Sequence, residues 1–187
     1  MGLLNETDEK LLINFLSLKE DDWIQWIAQE NNWNDDCDKL NGCYFIVKNM
    51  PMYPQHFNCQ CRLKKIEKPI PNVTAQASCD IRKFTEYIFN QKQNNGKKDL
   101  FESWGYSIRD SEYLKQQYIS QALQKYCNGE YQYKGTNGFI VKIEIKIEIK
   151  SKSGKLFILK SGWSLLPNGV IKLVTPFSGF SNQEKLK

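Results

Sequence analysis

The sequence predicts an α+β fold in which helices come first and an antiparallel sheet follows. Three observations predict it. Apolar residues recur at helical spacing between 80 and 126. The period drops from 3.6 to 2 after Asn128-Gly129, and two further turn signals, Ser153-Gly154 and Asn168-Gly169, divide the remainder into strands. With 41% hydrophobic residues but only 6 prolines and 11 glycines, the chain of 187 residues has the material for a core and is neither collagenous nor broadly disordered. Mean hydropathy is −0.57, and no apolar run approaches the roughly 18 residues a membrane helix needs, so no membrane span is expected. Acidic residues stand at the N-terminus where a signal peptide would be basic.

Residues 7–30 hold Leu11, Leu12, Phe15, Leu16, Leu18, Trp23, Ile24, Trp26 and Ile27 at mostly helical spacing, with Asp21 and Asp22 placed to start a second short helix. A helical pair is expected there. From 31 to 61 the periodicity fails, and Cys37, Cys43, His56, Cys59 and Cys61 fall among Asn, Asp, Gly and Pro. That segment reads as an irregular, locally stapled unit. Pro69 and Pro71 then disfavour helix in an apolar-poor stretch, which marks a linker over 64–79. The chain is thus expected to divide into a helical and Cys/His-rich unit (1–63), the linker, and an α+β unit (80–187) able to fold alone.

In the second unit Asp80 can cap a helix to about Asn90 with Ile81, Phe84, Tyr87 and Ile88 on one face. A short helix over 97–104 is closed by Gly105, and Asp110 is placed to cap a long one to about Tyr126, with Tyr113, Leu114, Tyr118 and Ala122 along one face. Over 139–150 Val141, Ile143, Ile145, Ile147 and Ile149 alternate with Lys142, Glu144, Lys146, Glu148 and Lys150, the pattern of a long amphipathic strand. Strands over 155–163 and 170–177 complete a meander. The strand over 142–150 is also suited to accept an added strand from a partner.

Charge is unevenly divided. Residues 1–79 hold 8 Lys and Arg against 11 Asp and Glu, a net −3, whereas residues 80–187 hold 18 against 10, a net +8. Only the second unit suits a polyanion such as RNA.

Lys83-Phe84-Thr85-Glu86-Tyr87-Ile88-Phe89-Asn90, Gly96-Lys97-Lys98 with Phe101, Trp104-Gly105-Tyr106, Ser161-Gly162-Trp163 and Lys172-Leu173-Val174-Thr175 follow one another in an order that resembles a small bacterial domain found at the C-termini of polymorphic toxins. The last strand, with Thr175 before Pro176 and Phe177, is similar to that of toxin nucleases of the barnase, EndoU, colicin and RelE group. Pro54-Gln55-His56-Phe57-Asn58-Cys59-Gln60-Cys61, after Cys37 and Cys43, resembles the end of phage minor head protein domains, which are often placed ahead of toxin domains. The resemblance implies a delivered toxin that acts in the target-cell cytoplasm as a ribonuclease, with RNA as substrate and an immunity protein as partner. Its alternative is an interaction module that binds RNA or protein without cleaving it, or a phage-structural fragment.

The cysteine-rich segment offers five soft ligands, Cys37, Cys43, His56, Cys59 and Cys61, for the four positions of a structural zinc ion; disulfides or buried thiols are the alternative reading. No cofactor is expected for catalysis. His56 is the single histidine of the chain, so residues 80–187 cannot use a histidine acid/base pair. On the resemblance, Lys83, Lys97, Ser161 and Thr175 surround the scissile phosphate, lysines supplying charge and hydroxyls orientation. Lys98, Lys160, Trp163 and Lys172 extend the RNA contact, and Tyr131, Tyr133 and Phe177 are further candidates for base stacking. Phosphate-loop, dinucleotide and nucleophile-elbow motifs are missing, and Cys79 and Cys127 have no histidine in their own unit, which removes nucleotide-driven, esterase and cysteine-protease readings.

Overall fold

Alternation of large apolar and polar side chains builds two sheets in the computed structural model, which describes residues 17–29, 36–57, 59–67, 76–90, 96–137 and 140–181. The first sheet has the order β2-β1-β3. Its central strand, β1 (Trp23–Ile27), buries Ile24 and Trp26 and turns Gln25 outward. That corrects the second helix expected here: β-branched and aromatic residues alternating with a polar one fit a pleat better than a helix. The first expected helix lies mostly outside the described residues. A short helix α1 (Asp36–Leu40) and strand β2 (Tyr44–Ile46) give the expected irregular segment regular elements, and β3 (Arg62–Ile66) pairs antiparallel with β1 through Trp26↔Leu63 and Ile24↔Lys65.

The proposed linker therefore contributes strands at both ends, since β4 (Ala77–Ser78) pairs parallel with the last strand; residues 68–75 between them lie outside the described residues. Next comes a π-helical turn over Lys83–Ile88 instead of a helix through Asn90, and Phe89 N–H donates to the Phe84 carbonyl, five residues back. Helices α2 (Lys97–Ser103) and α3 (Ser111–Cys127) match the spacings read from the sequence. Tyr113 is the exception on α3, exposed while Leu114, Tyr118, Ala122 and Tyr126 are buried. Asp110 precedes α3, but its carboxylate accepts from Ser107 and Lys152 and does not cap the helix.

Strands β5 (Gln132–Asn137), β6 (Ile140–Lys150), β7 (Leu156–Leu165) and β8 (Ile171–Phe180) complete a sheet of order β4-β8-β7-β6-β5. The fold is α+β, as its alternation predicted. Val141, Ile143, Ile145, Ile147 and Ile149 are all buried, at about 1.5–3 kcal/mol each before the entropy of ordering them. Buried residues of both sheets form one continuous cluster, and Trp23 meets Tyr133 edge-on at 5.5 Å between ring centroids.

Beyond Glu144, where its pairing with β5 ends, β6 would present an open edge. Gln121 of α3 covers it. Its side-chain amide donates to the Glu148 carbonyl at 2.7 Å and accepts from the Glu148 N–H at 2.8 Å, and Lys125 Nζ donates to the Lys146 carbonyl at 2.9 Å. An amide making both bonds stands in for a strand residue, so this part of β6 is closed to the added strand that its length suggested.

Candidate functional site

Among the described residues, two places bring together the candidate side chains. The first lies beside the β1 sheet. The helical turn α1 carries Cys37 inward, and a turn closed by Cys59 N–H donating to the His56 carbonyl at 3.2 Å sets His56 next to Cys59. Cys37, His56 and Cys59 converge, their ligand atoms all within 4.8 Å of one another, and this group could hold a metal ion. Cys37 Sγ is 3.2 Å from His56 Nε2 and 3.7 Å from Cys59 Sγ. His56 Nδ1 is 3.0 Å from the Phe57 carbonyl. A carbonyl only accepts, so Nδ1 is the donor in that contact, and Nε2 is the ring atom that faces Cys37. All six cysteines are free thiols in this structure.

Burial, and then its sulfur neighbours Cys61 and Cys59, push the Cys37 thiol far up; burial also raises Cys61. Cys43 stands apart from the group. Its thiol faces the Lys39 carbonyl at 3.6 Å and is pushed up to about 11 by burial, and neither it nor Cys61 is among the three converging ligand residues.

The second place is a cleft of about 740 Å³ between the π-helical turn and the ends of β7 and β8. Arg82, Lys83, Tyr87 and Asn90 line one side, with Asp80 and Glu86; Ser164, Lys172 and Val174 line the other. Tyr87, expected on one face with Phe84 and Ile88, packs partly against the core as they do but remains half-buried and lines the cleft. Lys97 Nζ lies 4.0 Å above the centre of the Tyr87 ring and donates to its hydroxyl. Arg82 is held by Asp80, with Nε–H bonds of 3.1 and 3.0 Å to its two oxygens and a third from Nη2 at 2.6 Å. The Arg82 hydrogen bonds keep the Asp80 carboxyl down at about 2, with the Lys172 charge adding to the effect. Neither Lys83 nor Lys172 is held in an ion pair among the described residues.

Of the expected phosphate and RNA residues, the cleft thus unites Lys83 and Lys172, with Lys97 against its Tyr87 wall. Ser161 is corrected. It is fully buried, donating to the Ile145 carbonyl at 2.7 Å and accepting from Trp163 Nε1 at 2.8 Å, and it reaches no ligand. Trp163 is likewise fully buried and cannot stack on a base. Thr175 packs over Gly162 on the neighbouring strand, Lys98 pairs with Glu102 at 3.7 Å, and Lys160 lies opposite Lys146; none of the three lines the cleft. Among the aromatic candidates, Tyr131 is buried and Phe177 packs on Phe180, while Tyr133 accepts from Asn49 at 2.6 Å. Arg82, Tyr87, Asn90 and Ser164 enter the site only through the fold.

Among known families, residues 69–179 match the model described as Domain of unknown function (DUF6883). No curated protein and no solved structure matches the chain.

Proposed function

Since the chain belongs to the DUF6883 family, whose description assigns no activity, we propose from the geometry of its cleft that it binds RNA there and cleaves it without a catalytic metal, as a bacterial toxin domain acting in the cytoplasm of a target cell. One observation carries the reading: Lys83 and Lys172 arrive from separate elements at one concave surface beside Tyr87, whose ring Lys97 covers. Phosphate suits the two lysines, and an aromatic rim suits an unpaired base. Lys97 and the Tyr87 hydroxyl are the groups placed to move a proton where histidine is missing. The net +8 of residues 80–187 steers a polyanion to this half. An immunity protein would then act by covering the cleft. We propose also that the Cys37, His56 and Cys59 group holds a structural zinc ion, away from this chemistry.

The test uses the full chain. Induced in a bacterial host, it is expected to arrest growth with discrete RNA fragments, and the purified protein to cut RNA in metal-stripped buffer supplied with equimolar zinc only. Lys83→Ala and Lys172→Ala should each reduce the salt slope of RNA affinity by about one. Arrest with intact RNA overturns the ribonuclease, and unchanged salt slopes overturn the cleft; tight RNA binding without cutting selects the interaction module.

A further inference from the structure

The polar face of β6, β7 and β8 carries positive charge beyond the cleft. Residues directly opposite one another in antiparallel strands share a face. Lys142, Ser164 and Lys172 form one such rung, and Ser164 and Lys172 already belong to the cleft wall. Four residues away along β6 and β7, about 13 Å at the rise of a strand, Lys146 stands directly opposite Lys160. Like charges so placed repel. The face also holds two carboxylates, but lysines from outside these three strands pair with both. Lys134 of β5 lies 3.4 Å from Glu144, and Lys125 of α3 lies 3.0 Å from Glu148. Among the described residues, Lys142, Lys146, Lys160 and Lys172 are left without an ion pair.

Between the two rungs the floor of the face is bare. Gly162 lies there, opposite Glu144 and Thr175, where the β7–β8 register shifts. Packing does not require a glycine at this place. Its φ is outside the left-handed range, and a Cβ would come no nearer than 3.6 Å to Thr175, an ordinary contact. A glycine inside a strand without that need marks a place where a ligand can approach the backbone. At the far end, the face opens into a hollow of about 420 Å³ lined by Lys125, Lys146, Glu148 and Ile158 among others.

We propose that this face is a track for single-stranded RNA, which leaves the cleft, passes over Gly162 and is held at its phosphates by Lys142, Lys146 and Lys160. The proposal rests on the RNA reading of the cleft and names the form of substrate: a single strand several nucleotides long. A duplex is disfavoured because the π-helical turn and the sheet wall the anchoring cleft on two sides, where Tyr87 suits an unpaired base. A phosphate between Lys146 and Lys160 relieves their repulsion. Thr175, which does not line the cleft, stands at the edge of the path, beside Gly162.

The experiment titrates the full chain with oligouridylates of three and twelve nucleotides, 2′-O-methylated so that they resist cleavage. The shorter RNA occupies the cleft alone, and the longer one reaches the track. Lys146→Ala/Lys160→Ala removes two phosphate contacts, so its salt slope for the longer RNA is expected to fall by about 1.4. Between about 50 and 200 mM salt, the parent should then lose about sevenfold more affinity than the double variant. Both should bind the shorter RNA alike. The double variant should melt no lower than the parent, since it relieves a like-charge pair. Lys98→Ala/Lys115→Ala, which removes the same charge from the helices, should keep the parent's slope. A parent that binds neither RNA overturns the RNA reading itself, and binding to phosphatidylglycerol vesicles in place of RNA would assign the lysines to a membrane surface. Equal slopes for the parent and Lys146→Ala/Lys160→Ala on the longer RNA, or an equal fall in Lys98→Ala/Lys115→Ala, overturn only the track.

Discussion

The hydroxyl of Ser161 joins two buried partners, donating to the Ile145 carbonyl while it receives the Trp163 N–H. Ser161→Ala leaves that N–H without an acceptor inside the core, where an unsatisfied donor costs about 1–3 kcal/mol. The expected outcome is a lower melting temperature with RNA affinity intact, which calorimetry and a binding titration check together; lost affinity in a fully stable variant would return Ser161 to the site. Side-chain chemistry alone could nominate this serine, but strand alternation does not say which hydroxyls a neighbouring indole will claim. Lys83 and Lys172 were nominated by the resemblance, and the fold sets both on the cleft, Lys83 half-buried and Lys172 exposed. Arg82 and Asn90 became visible only when the π-helical turn set them along the cleft.

Strand β6 shows what alternation can and cannot predict at the level of an element. Five branched residues on one side located it within a residue of its ends, and all five are buried. The fate of its edge was not legible, because that depends on Gln121, a polar residue on a helix whose docking is a long-range event. Gln121→Ala removes both bonds to Glu148 and uncovers an unpaired stretch. The expected result is a loss of about 1 kcal/mol together with concentration-dependent association by size-exclusion chromatography; a variant that stays monomeric would mean that Lys125 suffices as the guard. The misread Trp23–Ile27 makes the complementary point. Five residues preceded by two aspartates carry both periods, and the choice fell to β2 and β3, which supply partners on both sides.

Across the whole molecule, buried phenols tie stability to alkaline pH. Burial holds Tyr118, Tyr126 and Tyr131 well above their ordinary value of 10 and pushes Tyr53 up to about 12. The folded state keeps these groups neutral while an unfolded chain ionises them, so their contribution is complete below pH 10 and is lost as pH rises beyond it. Melting temperature is expected to fall steeply above about pH 10, and a flat profile to pH 12 would show these hydroxyls to be open to water. Tyr126 and Tyr131 belong to the same cluster as Tyr44 and Trp26 of the small sheet, so one cooperative transition is expected where the sequence suggested two units. The sheet order carries a consequence of timing. β8 lies between β4, the earliest strand of its sheet, and β7, and Lys172 and Val174 of β8 form one wall of the cleft. A ribosome making this chain releases the π-helical wall long before its counterpart, so the nascent polypeptide has no finished cleft until β8 emerges. A ligand that needs both walls of the cleft therefore finds its site only then, however early the first wall has folded.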